Sequence, residues 1–253
     1  MATGKIALIT GGSRGLGKDM ALALARKGID VIITYRSKKE EAERVVENIK
    51  SLGQKAAELP LDMADFRSLD SFVRAVGETL SGYWDTEAID FLVNNAGMGA
   101  TVPFTQVTED LFDEFLNVHF KSIYFLTQKL LPHLNDGGGI INISTGTTRF
   151  TNPGYSVYAS MKGAIEIFTK YLAKELGAKG IRANVVAPGP IETDFNSAAI
   201  RSNPQMKERL SSLSPLGKVG KAEDIGGVVA FLCTEEASWI NGQRIEVSGG
   251  INQ

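Results

Sequence analysis

A single cysteine, Cys233, stands in a chain of 253 residues. It excludes an intramolecular disulfide. With only two histidines beside it, it also excludes a Cys/His zinc site of the usual ligand count, and no metal is expected. Cys233 closes the apolar run Val228 to Cys233, which reads as a buried helix face where a thiol behaves as a small hydrophobe. Basic runs are absent too. Lysine and arginine number 27 against 29 acidic residues, for a formal net charge of -2. That balance speaks against a nucleic-acid surface, which needs clustered cations. No segment reaches the ~18 consecutive apolar residues of a membrane span. The chain passes from Met1 into a strand-like segment, Lys5 to Thr10, without an apolar stretch of signal-peptide length, so a soluble cytoplasmic protein is expected. Hydrophobic residues make up 43% and charged residues 22%, enough for a large core and unlike a disordered chain.

What is present is an alternation. Short apolar runs begin at Ile6, Val31, Ala56, Ile89, Ile140, Arg182 and Arg244. Several are apolar on both faces, as strands covered by helices on each side are. Between them, segments such as Lys18 to Lys27, Lys38 to Leu52 and Ser68 to Leu80 repeat apolar residues at three- and four-residue steps. Strand-helix alternation implies a parallel sheet with right-handed crossovers. With no linker, low-complexity segment or repeat, the expectation is α/β: one doubly wound, Rossmann-type domain over 1–253. It would have about seven parallel strands with helices on both faces, a cofactor half to about residue 140 and a catalytic and substrate half after it. Ligands in such folds bind beyond the carboxyl ends of the strands.

The first strand ends in Thr10-Gly11-Gly12-Ser13-Arg14-Gly15-Leu16-Gly17 and runs into a helix. Glycines there allow a tight turn and let backbone N–H groups approach a phosphate, helped by the partial positive charge of the helix start. The spacing Gly-x-x-x-Gly-x-Gly is not the G-x-G-x-x-G fingerprint, and a glycine turn without ligand is the plainer reading. The second strand ends at Tyr35 and Arg36. An NAD-selective fold usually places an acid here for the ribose 2'-hydroxyl, and Tyr35 carries none. Arg14 and Arg36 would instead suit a 2'-phosphate, which points to NADP(H), unless both are merely solvated. Asp62, after the third strand, could accept from an adenine amino group or cap the next helix; the residues alone leave both open.

These stretches resemble the short-chain dehydrogenase/reductase family over nearly the whole chain. The resemblance rests on the glycine turn, Asn94-Asn95-Ala96-Gly97 after the fourth strand, Tyr158-Ala159-Ser160-Met161-Lys162, Pro188-Gly189-Pro190-Ile191-Glu192-Thr193, and the tail from Asn241-Gly242-Gln243 to Gly249-Gly250. The tail and Ile191-Glu192-Thr193 look most like the subgroup containing 3-oxoacyl-carrier-protein reductases. The resemblance implies that Gly11, Ser13, Arg14 and Leu16 line the pyrophosphate and ribose, Asp62 and Met63 the adenine, and Asn95, with Ala96 and Gly97, the adjacent ribose. Pro188, Gly189, Ile191 and Thr193 would meet the nicotinamide.

The same resemblance makes Tyr158 and Lys162 the acid/base pair, one helical turn apart. Reduction of a ketone builds negative charge on oxygen, so a proton donor must sit beside it. A nearby ammonium is expected to lower a phenol's pKa from about 10 toward the working range. A family serine commonly stands about 13 residues before the tyrosine. Thr145 holds that place here, and Ser144 is the runner-up for binding the substrate oxygen. Where the family has an asparagine that holds a relay water, the register puts His119 rather than Asn117, and histidine can itself bridge protons.

The polar stretch Asp194 to Gly220 reads as a mobile cover. Phe150, Tyr155 and Phe195 are each as readily pocket as core. Helices around Leu111 to Leu131 and Tyr158 to Leu176 carry apolar residues on more than one face, and the resemblance implies a homodimer or homotetramer. The function expected is NADP(H)-dependent reduction of a ketone or aldehyde, or its reverse. Alternatives are a 3-oxoacyl-carrier-protein reductase proper, epimerase or dehydratase chemistry on the same fold, and a non-catalytic cofactor-binding regulator. Enoyl reduction fits less well, because those relatives space tyrosine and lysine more widely.

Overall fold

In the computed structural model, which describes residues 4–252 with the backbone alone at 196 and 197, side chains of the first strand divide by parity. Strand β1 (Ile6–Ile9) is buried throughout. Ala7 and Ile9 enter one core, Ile6 and Leu8 the other, because successive strand residues point to opposite faces. A strand apolar at every position thus requires helices on both sides.

The helices supply them. On one side lie α1 (Gly15–Arg26), α2 (Lys39–Ser51) and α9 (Ala222–Leu232), which pack Met20, Leu24, Val45, Ile49, Ile225 and Val229 against the sheet. On the other lie α3 (Leu69–Thr79), α5 (Ser122–Leu130) and α6 (Ser156–Glu175), with Phe72, Val76, Leu126, Ile165 and Leu172 inward. Each fully buried large aliphatic side chain contributes roughly 1.5–3 kcal/mol. Cys233, just past α9, is buried, and burial pushes its thiol pKa up, so it is the inert core thiol expected.

The other strands are β2 (Asp30–Tyr35), β3 (Ala56–Pro60), β4 (Ile89–Asn94), β5 (Leu134–Ile143), β6 (Arg182–Pro188) and β7 (Arg244–Val247). The sheet order is β3-β2-β1-β4-β5-β6-β7 with every pair parallel. The order reverses between β1 and β4, so a crevice opens beyond their carboxyl ends. Among the described residues no helix is long and apolar enough to cross a membrane.

One strand starts earlier than its sequence suggests. The fifth strand begins at Leu134, not Ile140. The glycines that hid it from a propensity reading are there because β4 comes close: a side chain at Gly138 would lie 2.4 Å from the Asp90 carbonyl oxygen. The polar segment after Thr193 is largely helical. It holds α7 (Phe195–Ser202) and α8 (Pro204–Ser212). Asn203 caps the second through Met206 N at 3.0 Å, followed by Pro204 at the first helical position, where a missing N–H costs nothing.

Polar groups fix how α6 sits on the sheet. Asn94 Nδ2 donates to Asn142 Oδ1 (2.8 Å) and to Thr127 Oγ1 (3.2 Å). Asn142 Nδ2 in turn donates to Thr169 Oγ1 on α6 (2.8 Å). All four residues are buried, so the ladder tolerates one register. At the far end of the sheet, Asp30 accepts from Trp84 Nε1 and Lys55 N, both at 2.8 Å. Asp30→Ala strands both donors. It is expected to destabilise the fold by roughly 2–5 kcal/mol and lower Tm by roughly 5–15 °C; thermal unfolding within about 2 °C of the parent would contradict this.

Candidate active site

The glycine turn is built by its neighbours. Gly11 N donates to Thr34 Oγ1 (2.9 Å) and Gly12 N to Thr34 O (2.9 Å). Asn95 Nδ2 donates to the carbonyls of Thr10 (2.9 Å) and Gly11 (3.1 Å). Thr10 Oγ1 accepts from Asn95 N and Ala96 N, each at 3.0 Å. Asn95 thus ties β4 to the turn. A side chain at Gly17 would lie 2.1 Å from Gly11 O, so only glycine lets α1 start this close to the turn.

The first turn of α1 has no acidic residue, and Arg14 at its N-cap makes no side-chain capping bond. Its leading N–H groups have no earlier helical carbonyl to bond, an arrangement that fits a pyrophosphate. Ser13, Gly15 and Leu16 are half-buried around it. Arg14 and Arg36 are exposed and are absent from the ion pairs of the described residues, which leaves both able to meet a phosphate.

Beyond β3, Asp62 Oδ1 accepts from Ala64 N (2.9 Å), so the carboxylate closes a local turn with one oxygen. The Met63 side chain is buried in the core and its carbonyl accepts from Ser122 Oγ (2.7 Å). Only its backbone is placed to meet a ligand. After β6, Gly189 N donates to Val247 O (3.0 Å), and Ile191 bridges to Gly220. Pro188 ends β6, and Thr193 is buried with Oγ1 accepting from Phe195 N (3.3 Å).

At the carboxyl end of β5 the candidate catalytic groups converge. Lys162 is 3% exposed. Its ammonium donates to Ile143 O at 2.7 Å and stands 5.9 Å from the Tyr158 ring centroid. Burial lowers its pKa from 10.5 to about 8. Tyr158 behaves contrary to expectation. Desolvation raises its pKa above the usual 10, against the lowering effect of a hydrogen bond with Thr145. The Lys162 ammonium is hydrogen-bonded to the Ile143 carbonyl, and desolvation of the phenol prevails. The phenol is therefore held protonated.

Thr145 and Ser144, first choice and runner-up in the sequence, part company here. Thr145 meets the Tyr158 hydroxyl. Ser144 Oγ points the other way and donates to Glu166 Oε1 at 2.7 Å. Strand alternation explains the split.

His119 is completely buried on a π-helical turn, Asn117–Lys121, that joins α4 (Glu109–Leu116) to α5. Its Nε2 lies 2.9 Å from Met98 O, and its Nδ1 has no protein partner. A side chain at Gly97 would come within 2.9 Å of the ring. Burial first, then the Lys162 charge, hold its pKa well below 6.5. His119 is a neutral imidazole at ordinary pH, not the titrating group that its residue type suggests.

Phe115 escaped the sequence reading, although it lies one helical turn before His119. Its ring centroid is 6.5 Å from Tyr158, with Tyr155 at 6.4 Å and Phe195 at 6.0 Å. Phe150 instead packs against Gly146. A shallow recess no larger than a water molecule, about 10 Å³ and open to solvent, is lined by Ala100, Val102, Val107, Leu111, Phe115, Gly154, Val157 and Tyr158. The arrangement can offer one proton to an oxygen held in apolar surroundings.

Known proteins resemble the chain over nearly its whole length. A family model described as Enoyl-(Acyl carrier protein) reductase matches residues 11–252. Versicolorin reductase of Emericella nidulans is 36% identical over 257 residues, spanning 98% of this chain and 95% of its own. A hydroxynaphthalene reductase-like protein of Metarhizium robertsii is 34% identical over 259 residues, with coverage of 98% and 95%. The angucycline C-6 ketoreductase LanV, solved with bound NADP, superposes with a TM-score of 0.93 at 36% identity, covering 98% of this chain and 95% of that one.

The opposed hydroxyls are separable by mutation. Thr145→Val is expected to cut turnover of a carbonyl substrate by roughly 100-fold or more with little change in Tm. Ser144→Ala should leave turnover within about threefold while lowering Tm. The reverse pattern in paired kinetics and melting would assign the substrate oxygen to Ser144.

Proposed function

This chain belongs to the short-chain dehydrogenase/reductase family, and we propose that it is an NADP(H)-dependent ketoreductase in which Tyr158 is the proton donor. The observation that carries the reading is the meeting of Tyr158, Thr145 and Lys162 beyond β5, beside a glycine turn shaped for a pyrophosphate. The relatives and LanV with its NADP support it.

A reduced nicotinamide cofactor held at the glycine turn would provide the hydride for the carbonyl carbon. The chain's own residues do the rest. Thr145 hydrogen-bonds the carbonyl oxygen, and the Tyr158 hydroxyl gives it a proton as charge develops. A phenol kept protonated by burial suits the direction of reduction. Lys162 stabilises the phenolate left behind and, with Tyr158, is placed to hold the ribose hydroxyls. Asn95 keeps the turn in shape. Arg14 and Arg36 bind the 2'-phosphate through charge-assisted bonds.

The substrate proposed is a ketone carried on fused, largely apolar rings. The aromatic rings around Tyr158 support this. So do the substrates named for relatives, hydroxynaphthalene and versicolorin, and rabelomycin in a second structure of LanV at 35% identity and a TM-score of 0.90. We further propose a homotetramer built through α4, α5 and α6, which leave Phe112, Tyr124, Ile167 and Tyr171 exposed.

The test is NADPH oxidation against a panel of 2-tetralone, trans-1-decalone, a 3-oxoacyl thioester and an enoyl thioester. 2-Tetralone is expected to react fastest, and silence toward every ketone would overturn the reading. Tyr158→Phe should lower kcat by about 10³-fold while NADPH still binds by fluorescence. Arg36→Asp should shift the NADPH/NADH preference by roughly 10- to 100-fold toward NADH; an unchanged preference would remove Arg36 from the site.

A further inference from the structure

We propose that Glu166 and Arg244 are positioning residues that set Thr145 against Tyr158 from behind the site. The inference rests on the ketoreductase reading above. Three donors converge on one carboxylate oxygen of Glu166: Ser144 Oγ at 2.7 Å, Thr148 Oγ1 at 2.7 Å and Arg244 Nε at 2.9 Å. Arg244 also donates from Nη2 to Thr145 O (3.1 Å) and Thr148 Oγ1 (3.2 Å), and from Nη1 to Glu246 Oε2 (3.0 Å). Glu246 is held in turn by Ser248 Oγ (2.8 Å) and Arg149 Nε (3.3 Å).

The connectivity explains why this cluster bears on chemistry. Glu166 lies eight residues after Tyr158 and four after Lys162, on the same helix. Helix α6 therefore moves Tyr158, Lys162 and Glu166 as one body. Thr145 stands on the turn after β5. Arg244 opens β7, where its register partner on β6 is Val185, and its side chain reaches across β6 to the Thr145 carbonyl. The pair thus fastens the turn that carries one reacting hydroxyl to the helix that carries the other. Neither side chain lines the recess beside Tyr158, and neither is placed to touch substrate.

An ordinary surface ion pair would matter little. This one differs in its surroundings and its fork. The side chains of Arg244 and Glu166 are 22% and 17% exposed, and a guanidinium with partners on three nitrogens fixes direction as well as distance. A displacement of about 1 Å between reacting groups costs on the order of 10²-fold in rate. A clamp on the Thr145 backbone is therefore a lever on kcat.

A double-mutant cycle tests this, using the fastest ketone of the panel, with NADPH affinity measured separately. Glu166→Ala is expected to lower kcat about 30-fold and leave NADPH Kd within about twofold. In a Thr145→Val background the same substitution should cost less than about twofold, because the group it positions is already gone. A merely structural role would give the full loss in both backgrounds. That additive result, an unchanged kcat, or a collapse of NADPH binding would each overturn the proposal. If Glu166→Ala does not fold, Arg244→Lys keeps the charge but loses the fork, and is run through the same cycle with the same expectation. An additive cycle with an inactive Tyr158→Phe sinks this inference alone. Near-normal turnover by Tyr158→Phe sinks the reading beneath it.

Discussion

Lys162 carries an ammonium into a place nearly without water and leaves it one protein carbonyl, Ile143 O, at 2.7 Å. That bond joins the catalytic helix to the end of β5, and the rest of the site is arranged around it. The desolvation shows in the lysine's pKa, drawn down to about 8. The sign has a consequence for stability. The unfolded chain still holds this proton between pH 8 and the ordinary 10.5, so stability rises with pH across that window. Below it, the folded protein bears the full penalty of a buried charge with too few partners. Ribose hydroxyls would be further partners for that ammonium, so cofactor binding and relief of the penalty act together.

The sheet provides the accuracy that this bond needs. β5 lies between β4 and β6, and a buried ladder from Asn94 through Asn142 to Thr169 fixes α6 over it. A slip of one residue in β5 would turn Thr145 away and bring Ser144 toward the phenol. Buried amides in an otherwise apolar core thus select a register that apolar packing alone would leave degenerate. The glycine turn is fixed by similar means, from Thr34, Asn95 and Thr10.

Much of this was legible in the chain. Unbroken apolar runs announced two-sided strands, and the sheet follows from them, as do the glycine turn at its switch point and the Tyr158–Lys162 spacing. What escaped depends on tertiary surroundings. Propensity missed the start of β5 because its glycines serve a close approach to Asp90. Asn203-Pro204, inside the stretch read as a mobile cover, is a helix start. The histidine at 119 suggested titration from its ordinary pKa, yet complete burial beside Lys162 keeps it neutral. The phenol of Tyr158, expected to be acidified, is instead pushed up by desolvation. Glu166 lies in register with Lys162 one turn on, a signal that could have been read; its partner Arg244, 78 residues away, could not.

The account turns on how strongly the folded protein desolvates Lys162. Carbon-13 NMR of lysine side chains in the cofactor-free enzyme, with Lys162→Arg to assign the resonance, measures that directly. One lysine should titrate with a midpoint near pH 8 and vanish in the variant. If Lys162 instead titrates with the exposed lysines near the ordinary 10.5, its ammonium is hydrated, the bond to Ile143 does not hold it, and the site does not work as described.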